Sequence, residues 1–337
     1  MRRDERKGGG LKPFIPEKRM RGFLASVVLL FAAASAAAQP YPSRSIRLVV
    51  PFSPGAGTDA ISRILAQRLA ESLGQPIVVD NRPGAGGTIG TEAVAKAAGD
   101  GYTLLFAPAA HAINPSIYSK LGYDTEKDLV AISVAASLPV VLAVESSVPA
   151  RSVGELVALA KASPGKLTMA SAGNGTVFHL TGEMFKRAAG IEFVHVPFKG
   201  GAPAMAALVG GQVAMAFETS LTVTPHVKSG RLRALAVASG ERIAILPEVP
   251  TLAQAGYPGI LSENWYCLYA PAGTPGEVIA RLYADLAKAL ADPDTRQKLA
   301  AQGAETRGLS PEQSAAFVRT EIAKWAKVVR ESGAKID

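Results

Sequence analysis

Residues 46–59 read IRLVVPFSPGAGTD, and this stretch decides the fold. Ile46 to Phe52 is a near-continuous apolar run, the pattern of a strand. A glycine turn follows, then Thr58 and Asp59, residue types that cap helices. Beyond them Ile61, Leu65, Leu69 and Leu73 recur on one helical face, and Gly74 ends the helix. Working outward, the same order repeats. Strands are expected at Ile77–Val79, Tyr102–Ala107, Pro139–Val144, Leu167–Ser171, Phe193–Val196, Val213–Phe217, Leu232–Ala238 and Leu261–Ala270. Helices are expected after the loop Pro83–Gly90, at Val153–Ala162, from Thr176 to Ala189 and near Ala204–Val209. Strand, loop and helix in alternation predict α/β architecture, with parallel sheet and helices on both faces. The tail, Pro275–Ala291, Pro293–Gln302 and Pro311–Ser332, reads as helices opened by proline. With no strand of its own to cover, it is expected on the first sheet. The first lobe is then discontinuous: 39–139 plus 266–337, with 140–265 as the second lobe.

The chain has 337 residues, 36 Lys+Arg, 28 Asp+Glu, 48% hydrophobic and 19% charged residues, which excludes a disordered or collagen-like chain. Residues 1–38 read as a leader. Arg19 and Arg21 flank Met20, Phe23–Ala34 is apolar, and Ala36-Ala37-Ala38 precedes Gln39 as an A-x-A cleavage site. The run is too short to cross a bilayer of about 30 Å. Met20 is an alternative start, with 1–19 an upstream extension. Without the leader's basic excess the remainder carries a charge of about +3 and no like-charge run to footprint nucleic acid. An exported, soluble protein is expected. One cysteine, Cys267, excludes an internal disulfide, and the four histidines show no zinc-ligand spacing. No metal or cofactor is expected.

Four small-residue loops each follow a strand: Ser53–Asp59, Gly84–Gly90, Ser171–Thr176 and Pro197–Ala202. Glycine lets backbone approach a ligand, and the helix N-terminus beyond supplies free N–H groups, so each loop suits an anion. In open α/β sheets such loops gather at the carboxyl ends of the strands. Any one loop alone reads equally as a tight βα turn. A competing pattern is Gly55-Ala56-Gly57-Thr58-Asp59-Ala60 with Asp80 beyond, near the dinucleotide fingerprint. It would make the chain an exported NAD(P)-dependent oxidoreductase, but Pro54 precedes the first glycine and the loop at 84–90 goes unused. Cys267 reads as a buried core thiol. Ser171 lies in no nucleophile elbow. His179 and Glu183, four apart, read as a hydrogen-bonded helix pair. His111 either faces the cleft or stabilises a turn.

The motifs YPSRSIRLVVPFSPGAGTD (41–59), VVDNRPGAGGTIG (78–90), SAGNGTVFHLTGEMF (171–185), VPFKGGAPAMAALVGGQV (196–213), LPEVPTLAQAGYPG (246–259) and APAGTP…LADPDTRQKLAAQGAE (270–305) together resemble the substrate-binding proteins of tripartite tricarboxylate transporters, the Bug family. The resemblance implies a periplasmic, two-lobed binding protein of class II type, each lobe a mostly parallel sheet flanked by helices. It implies a monomer that holds a small organic carboxylate between the lobes, performs no chemistry, and hands the ligand to integral membrane permease subunits or reports it to a membrane kinase. Implied contacts for one carboxylate are backbone groups of Pro54, Gly55, Ala56, Gly57 and Thr58 and of Gly84, Ala85, Gly86, Gly87 and Thr88. Ser53, Asp59 and His111 flank them. The far end of the ligand falls to Ser171, Asn174, Thr176, Phe198 and Gly201. Where the family often has aspartate after phenylalanine this chain has Glu218, suited to a ligand amine or hydroxyl, or simply crowding the pocket. Cys267 stands where glycine is common.

Overall fold

The structure is a computed structural model that describes residues 41–55 and 57–334; the leader read at 1–38 and Ala56 lie outside the described residues. The opening βα units form as the pattern requires. Strand β1 (Ile46–Val50) leads to α1 (Gly57–Leu73), whose Ile61, Leu65, Leu69 and Leu73 are buried. Then come β2 (Ile77–Asn81), a short 3-10 turn (Ala85–Gly87), α2 (Thr88–Ala95) and β3 (Thr103–Pro108). β1 pairs in parallel with both β2 and β3. Helix α3 (Ala110–Ile117) follows at once.

The longest strand, β4 (Leu129–Glu145), runs well upstream of the expected Pro139. Its partners change partway along. Leu129–Pro139 pair antiparallel with β9 (Glu263–Pro271), whereas Val140–Val144 pair with β7 (Met215–Thr219) and Val141–Glu145 with β8 (Leu232–Val237). Between these come α4 (Val153–Ala162), β5 (Thr168–Ser171), α5 (Val177–Ala189), β6 (Val194–Pro197), α6 (Gly201–Val209) and, after β7, α7 (Ser220–Lys228). β5 pairs in parallel with β6 and β7. The strand order is β2-β1-β3-β9-β4-β7-β5-β6. Parallel βα units therefore lie at both ends, joined through the antiparallel strands β4 and β9.

Successive residues of β4 point to opposite faces. Val140, Leu142 and Val144 join one buried cluster with Phe217 and Trp325; Val141 and Ala143 join another with Leu208 and Val237. The tail is α8 (Gly276–Ala291), α9 (Pro293–Ala301) and α10 (Pro311–Ser332). It does contain a strand, the short β10 (Glu305–Thr306), which pairs with β4 at Ala136 and Ser137. In the tail, α8 and α9 pack on α1, and α10 packs on α3 and β4, with a further contact to α5. Ser310 opens α10 with a capping box to Gln313, and Asp292 caps α9 by accepting the Thr295 N–H at 2.9 Å. Among the described residues no helix is long and apolar enough to cross a membrane.

Candidate functional site

Three of the four glycine loops, with Ser53 from the remaining one, line a single cleft. A cavity of about 540 Å3 is bounded by Phe52 and Ser53, by Pro83 to Gly87, by Ala172, Gly173 and Asn174, and by Phe198, Lys199 and Gly200, with Tyr118 beside them. That volume is in the range of small-molecule sites. A smaller cavity of about 40 Å3 shares Phe52 and Ala172 with it and is lined also by Gly57, Thr58, Thr176, Gly201, Glu218, Asn264 and Tyr266, among others. The two form an outer and an inner chamber.

Local chemistry fixes each loop. In the first, the Asp59 carboxylate accepts the Gly55 N–H at 3.0 Å, Arg63 Nε at 3.0 Å and Asn81 Nδ2 at 3.0 Å. Burial alone would raise this carboxyl; the hydrogen bonds from Arg63, Gly55 and Asn81, with the Arg63 charge, outweigh it and hold it below the usual carboxylate range. Asp59 thus shapes the loop, and its carboxylate is already engaged there. In the second loop Gly84 sits at φ 135° and Gly87 at φ 91°, backbone that side-chain-bearing residues rarely adopt. The Thr88 hydroxyl donates back to the Ala85 carbonyl at 2.9 Å. The third and fourth loops are tied together: Phe198 N–H donates to the Ser171 carbonyl at 3.0 Å and Gly200 N–H to the Ala172 carbonyl at 3.1 Å. Ser171 Oγ lies 2.6 Å from His195 Nε2 and 3.1 Å from the Gly173 carbonyl, so that hydroxyl serves the loop.

The expected residues divide accordingly. Ser53, Gly84, Ala85, Gly86, Gly87, Asn174 and Phe198 line the outer chamber, and Gly57, Thr58, Thr176, Gly201 and Glu218 the inner one. Pro54 is exposed, and Gly55 borders a separate groove with Ala60, Met205 and His226. Asp59, Thr88 and Ser171 line neither chamber but hold the loops that do. His111 is not at the cleft: it is 2% exposed, stacked 6.2 Å from Tyr123 and tilted against Tyr269 at 4.6 Å. His179 does not bond Glu183; it stacks on His195 at 4.0 Å, and its Nδ1 accepts the Gly175 N–H at 3.2 Å. Cys267 is fully buried, and burial pushes its thiol up. Asp80, the acid of the dinucleotide pattern, pairs with Arg82 at 2.8 Å. Sequence reasoning missed the wall supplied by β9, Asn264 and Tyr266, whose side chains bond each other at 2.9 Å, and the outer Tyr118 and Lys199.

Electrostatically the inner chamber is a place where helices begin. The first turns of α1, α5, α6 and α7 contribute Gly57 and Thr58, Val177 and Phe178, Gly201, and Thr222, with the caps Thr176 and Thr219 beside them. Each N-terminus brings partial positive charge, favouring an anion by roughly 0.3–1 kcal/mol at an exposed site and more when buried. No Lys, Arg or His lines the inner chamber, and Lys199 is the charged residue of the outer one. A wider groove of about 650 Å3 lies elsewhere, between α5, the loop at 256–260 and α10. It is walled mainly by the sides of helices and lacks converging loop amides.

Three buried titratable groups, His111, His179 and Glu218, and the half-buried His195 give the folded chain a pH signature. Burial lowers His111 and His195 to about 4, and burial with the charges of His195 and Lys186 lowers His179 to about 3. Each is depressed below its unfolded value of about 6.5, so its contribution is intact above pH 6.5 and is lost as pH falls toward 4. Glu218 runs the other way. Burial raises it to about 7 against the hydrogen bonds from Thr219, so its contribution is intact below pH 4.5 and is lost as pH rises through 7. Two outcomes are expected. Urea titrations should show net stability falling from pH 6.5 to 4.5, three histidines outweighing one carboxyl; a flat profile would contradict this. Glu218→Gln should be more stable than the parent at pH 8, by on the order of 2 to 3 kcal/mol, with the advantage gone by pH 4.5.

Comparison with known proteins then bears on the cleft. The model of the tripartite tricarboxylate transporter family receptor matches residues 61–334. The chain is 40% identical over 320 residues to Protein BugT of Bordetella pertussis, covering 93% of this chain and 98% of that protein. Among solved structures, R. palustris Rpa4515 with adipate is 37% identical with a TM-score of 0.85, covering 88% of this chain and all of that one. The periplasmic binding protein BugD is 36% identical with a TM-score of 0.82, covering 88% of this chain and 99% of the other.

Proposed function

From the premise that this chain belongs to the tripartite tricarboxylate transporter receptor family, we propose that it captures a small organic carboxylate in the cleft between residues 53–58, 84–87, 172–176 and 198–201. The family is one of receptors rather than enzymes, so the ligand leaves unchanged. The observation that carries the reading is the convergence of four helix N-termini on one chamber without any lining cation. Such a chamber favours an anion through backbone groups. Rpa4515, a structural relative, is described with adipate, a dicarboxylate, which agrees in chemical class.

The partner switch in β4 between Pro139 and Val140 supports a lobe boundary there, with residues 39–139 and 266–337 as one lobe and 140–265 as the other. Loops 53–58 and 84–87 belong to the first lobe, loops 171–176 and 197–202 to the second. A carboxylate touching both lobes is held by more contacts when they are closed, so binding shifts the population toward closure. Bridging waters serve such a site almost as well as direct bonds, so one clamp tolerates different ligand tails. The leader at 1–38 exports the chain to the periplasm, and integral membrane permease subunits receive the closed form.

Calorimetric titration with small mono- and dicarboxylates, alongside their uncharged amides, tests this. Saturable heat with at least one acid and none with its amide is expected. Absence of heat and of thermal stabilisation across the acids, or equal binding of the amides, would overturn the reading.

A further inference from the structure

The inner chamber holds an unanswered acceptor. Glu218, next to last in strand β7, lines the chamber and is 3% exposed. Its Oε1 accepts the Thr219 backbone N–H at 2.8 Å, whereas Oε2 is buried without a hydrogen-bond partner. Gly201 keeps that oxygen open to the chamber: a Cβ there would stand 2.9 Å from it. A buried polar atom left unpaired is costly, and a buried carboxylate wants a cation or a donor. None of the residues lining the chamber is a cation. The helix N-termini already suit a ligand carboxylate, and a second carboxylate pushed beside Glu218 would meet like charge. The chamber, at about 40 Å3, admits one small group rather than a chain.

We propose that Glu218 is a specificity-determining residue that selects organic acids bearing an ammonium group near the carboxylate, zwitterions of the amino-acid kind, by accepting an N–H bond from that ammonium at Oε2. This rests on the carboxylate reading above. The ammonium meets the Glu218 wall of the inner chamber, where that carboxylate offsets the helix N-termini; the ligand carboxylate lies toward the helix starts at Gly57, Thr58 and Thr176 and the junction by Phe52 and Ala172, and the tail extends into the outer chamber. The groups facing Glu218 are Thr219, Gly201, Tyr266 and Asn264, with Thr58 and Thr176 across the chamber; Tyr266 is the titratable one, and burial, then the Glu218 charge, push its phenol up. Burial, outweighing the hydrogen bonds from Thr219, holds Glu218 partly protonated near neutrality, so an arriving ammonium displaces a proton.

The test uses matched trios that differ at one carbon, carrying hydrogen, hydroxyl or ammonium: propionate, lactate and alanine; succinate, malate and aspartate; 3-phenylpropionate, phenyllactate and phenylalanine. In calorimetry the parent chain is expected to bind the amino member of at least one trio about tenfold or more tighter than both companions, as coupling energies of close buried charge pairs imply. The heat at pH 7 should vary with the buffer's ionisation enthalpy. Glu218→Gln should lose both the preference and the buffer dependence while binding the hydrogen member more tightly; Glu218→Asp, which keeps the charge, should keep the preference at reduced affinity. Equal or better binding of the hydrogen or hydroxyl member by the parent, or a preference that survives Glu218→Gln, would overturn the proposal and leave the carboxylate reading standing. Failure of every acid in all trios would overturn both.

Discussion

Replacing Glu321 by alanine should destabilise the chain by roughly 2 to 5 kcal/mol, since each buried donor left without an acceptor costs roughly 1–3 kcal/mol. Glu321 Oε2 accepts the indole N–H of Trp265 and that of Trp325, each at 2.9 Å, and Lys324 Nζ lies 3.1 Å from Oε1. Both tryptophans are buried, Trp265 on β9 and Trp325 on α10 itself. One carboxylate oxygen therefore ties the last helix to the antiparallel strand beside β4. Alanine would orphan two indoles at once. Glutamine keeps one acceptor oxygen and should lose about half as much. Urea unfolding midpoints for the two variants measure this directly. A loss below about 1 kcal/mol for alanine would mean that water replaces the carboxylate and that the tie is not structural.

The second large effect is expected at Gly57. A Cβ at this position would stand 2.9 Å from Tyr266 Oη and 3.2 Å from Leu138 Cδ1, and the branched methyls of valine would enter the inner chamber. Gly57→Val should reduce affinity for any acid that the parent binds by about 100-fold or more, the loss of several buried polar contacts at roughly 1–1.5 kcal/mol each. Overpacking should also lower stability by roughly 1–3 kcal/mol. Gly259→Ala is the control: a Cβ there meets nothing within 4 Å, and Gly259 borders the helix-walled groove. It should bind as the parent does. If Gly57→Val binds normally and Gly259→Ala does not, the ligand sits in the other groove.

Much of this architecture is legible in the residues, for reasons that also explain the gaps. The 3.6-residue spacing of Ile61, Leu65, Leu69 and Leu73 marks α1 because only one of its faces meets the sheet. Helix α4 falls at Val153–Ala162 as expected, bounded by the Ser152 cap. Helices α3 and α7 escape the pattern: Pro115 and Pro225, a residue type that disfavours helix interiors, sit inside them, and both helices are short. The upstream half of β4 was hidden because Ser133 and Ser137 interrupt its apolar run, although both are buried. At the site, glycine announces the loops because close backbone approach needs it. Asn264 and Tyr266 were not legible: they arrive on β9, an antiparallel strand far along the chain, and nothing local marks them as facing a chamber. His111 was misplaced for a related reason. A histidine after a strand looks available, and only the packing of Tyr123 and Tyr269 shows that it is core.

The claim on which the rest depends is that backbone amides at the mouths of the glycine turns, with the helix N-termini behind them, hold an organic acid. A crystal structure of the chain grown with whichever acid gives saturable heat tests it most directly. The expected result is a carboxylate within about 3 Å of loop amides, directly or through one water, from the stretches 53–58 and 84–88 of one lobe, with the remainder of the ligand against 172–176 and 198–201 of the other. Ligand seated in the groove by Tyr257, Lys324 and Lys327, with the glycine turns untouched, would contradict the account.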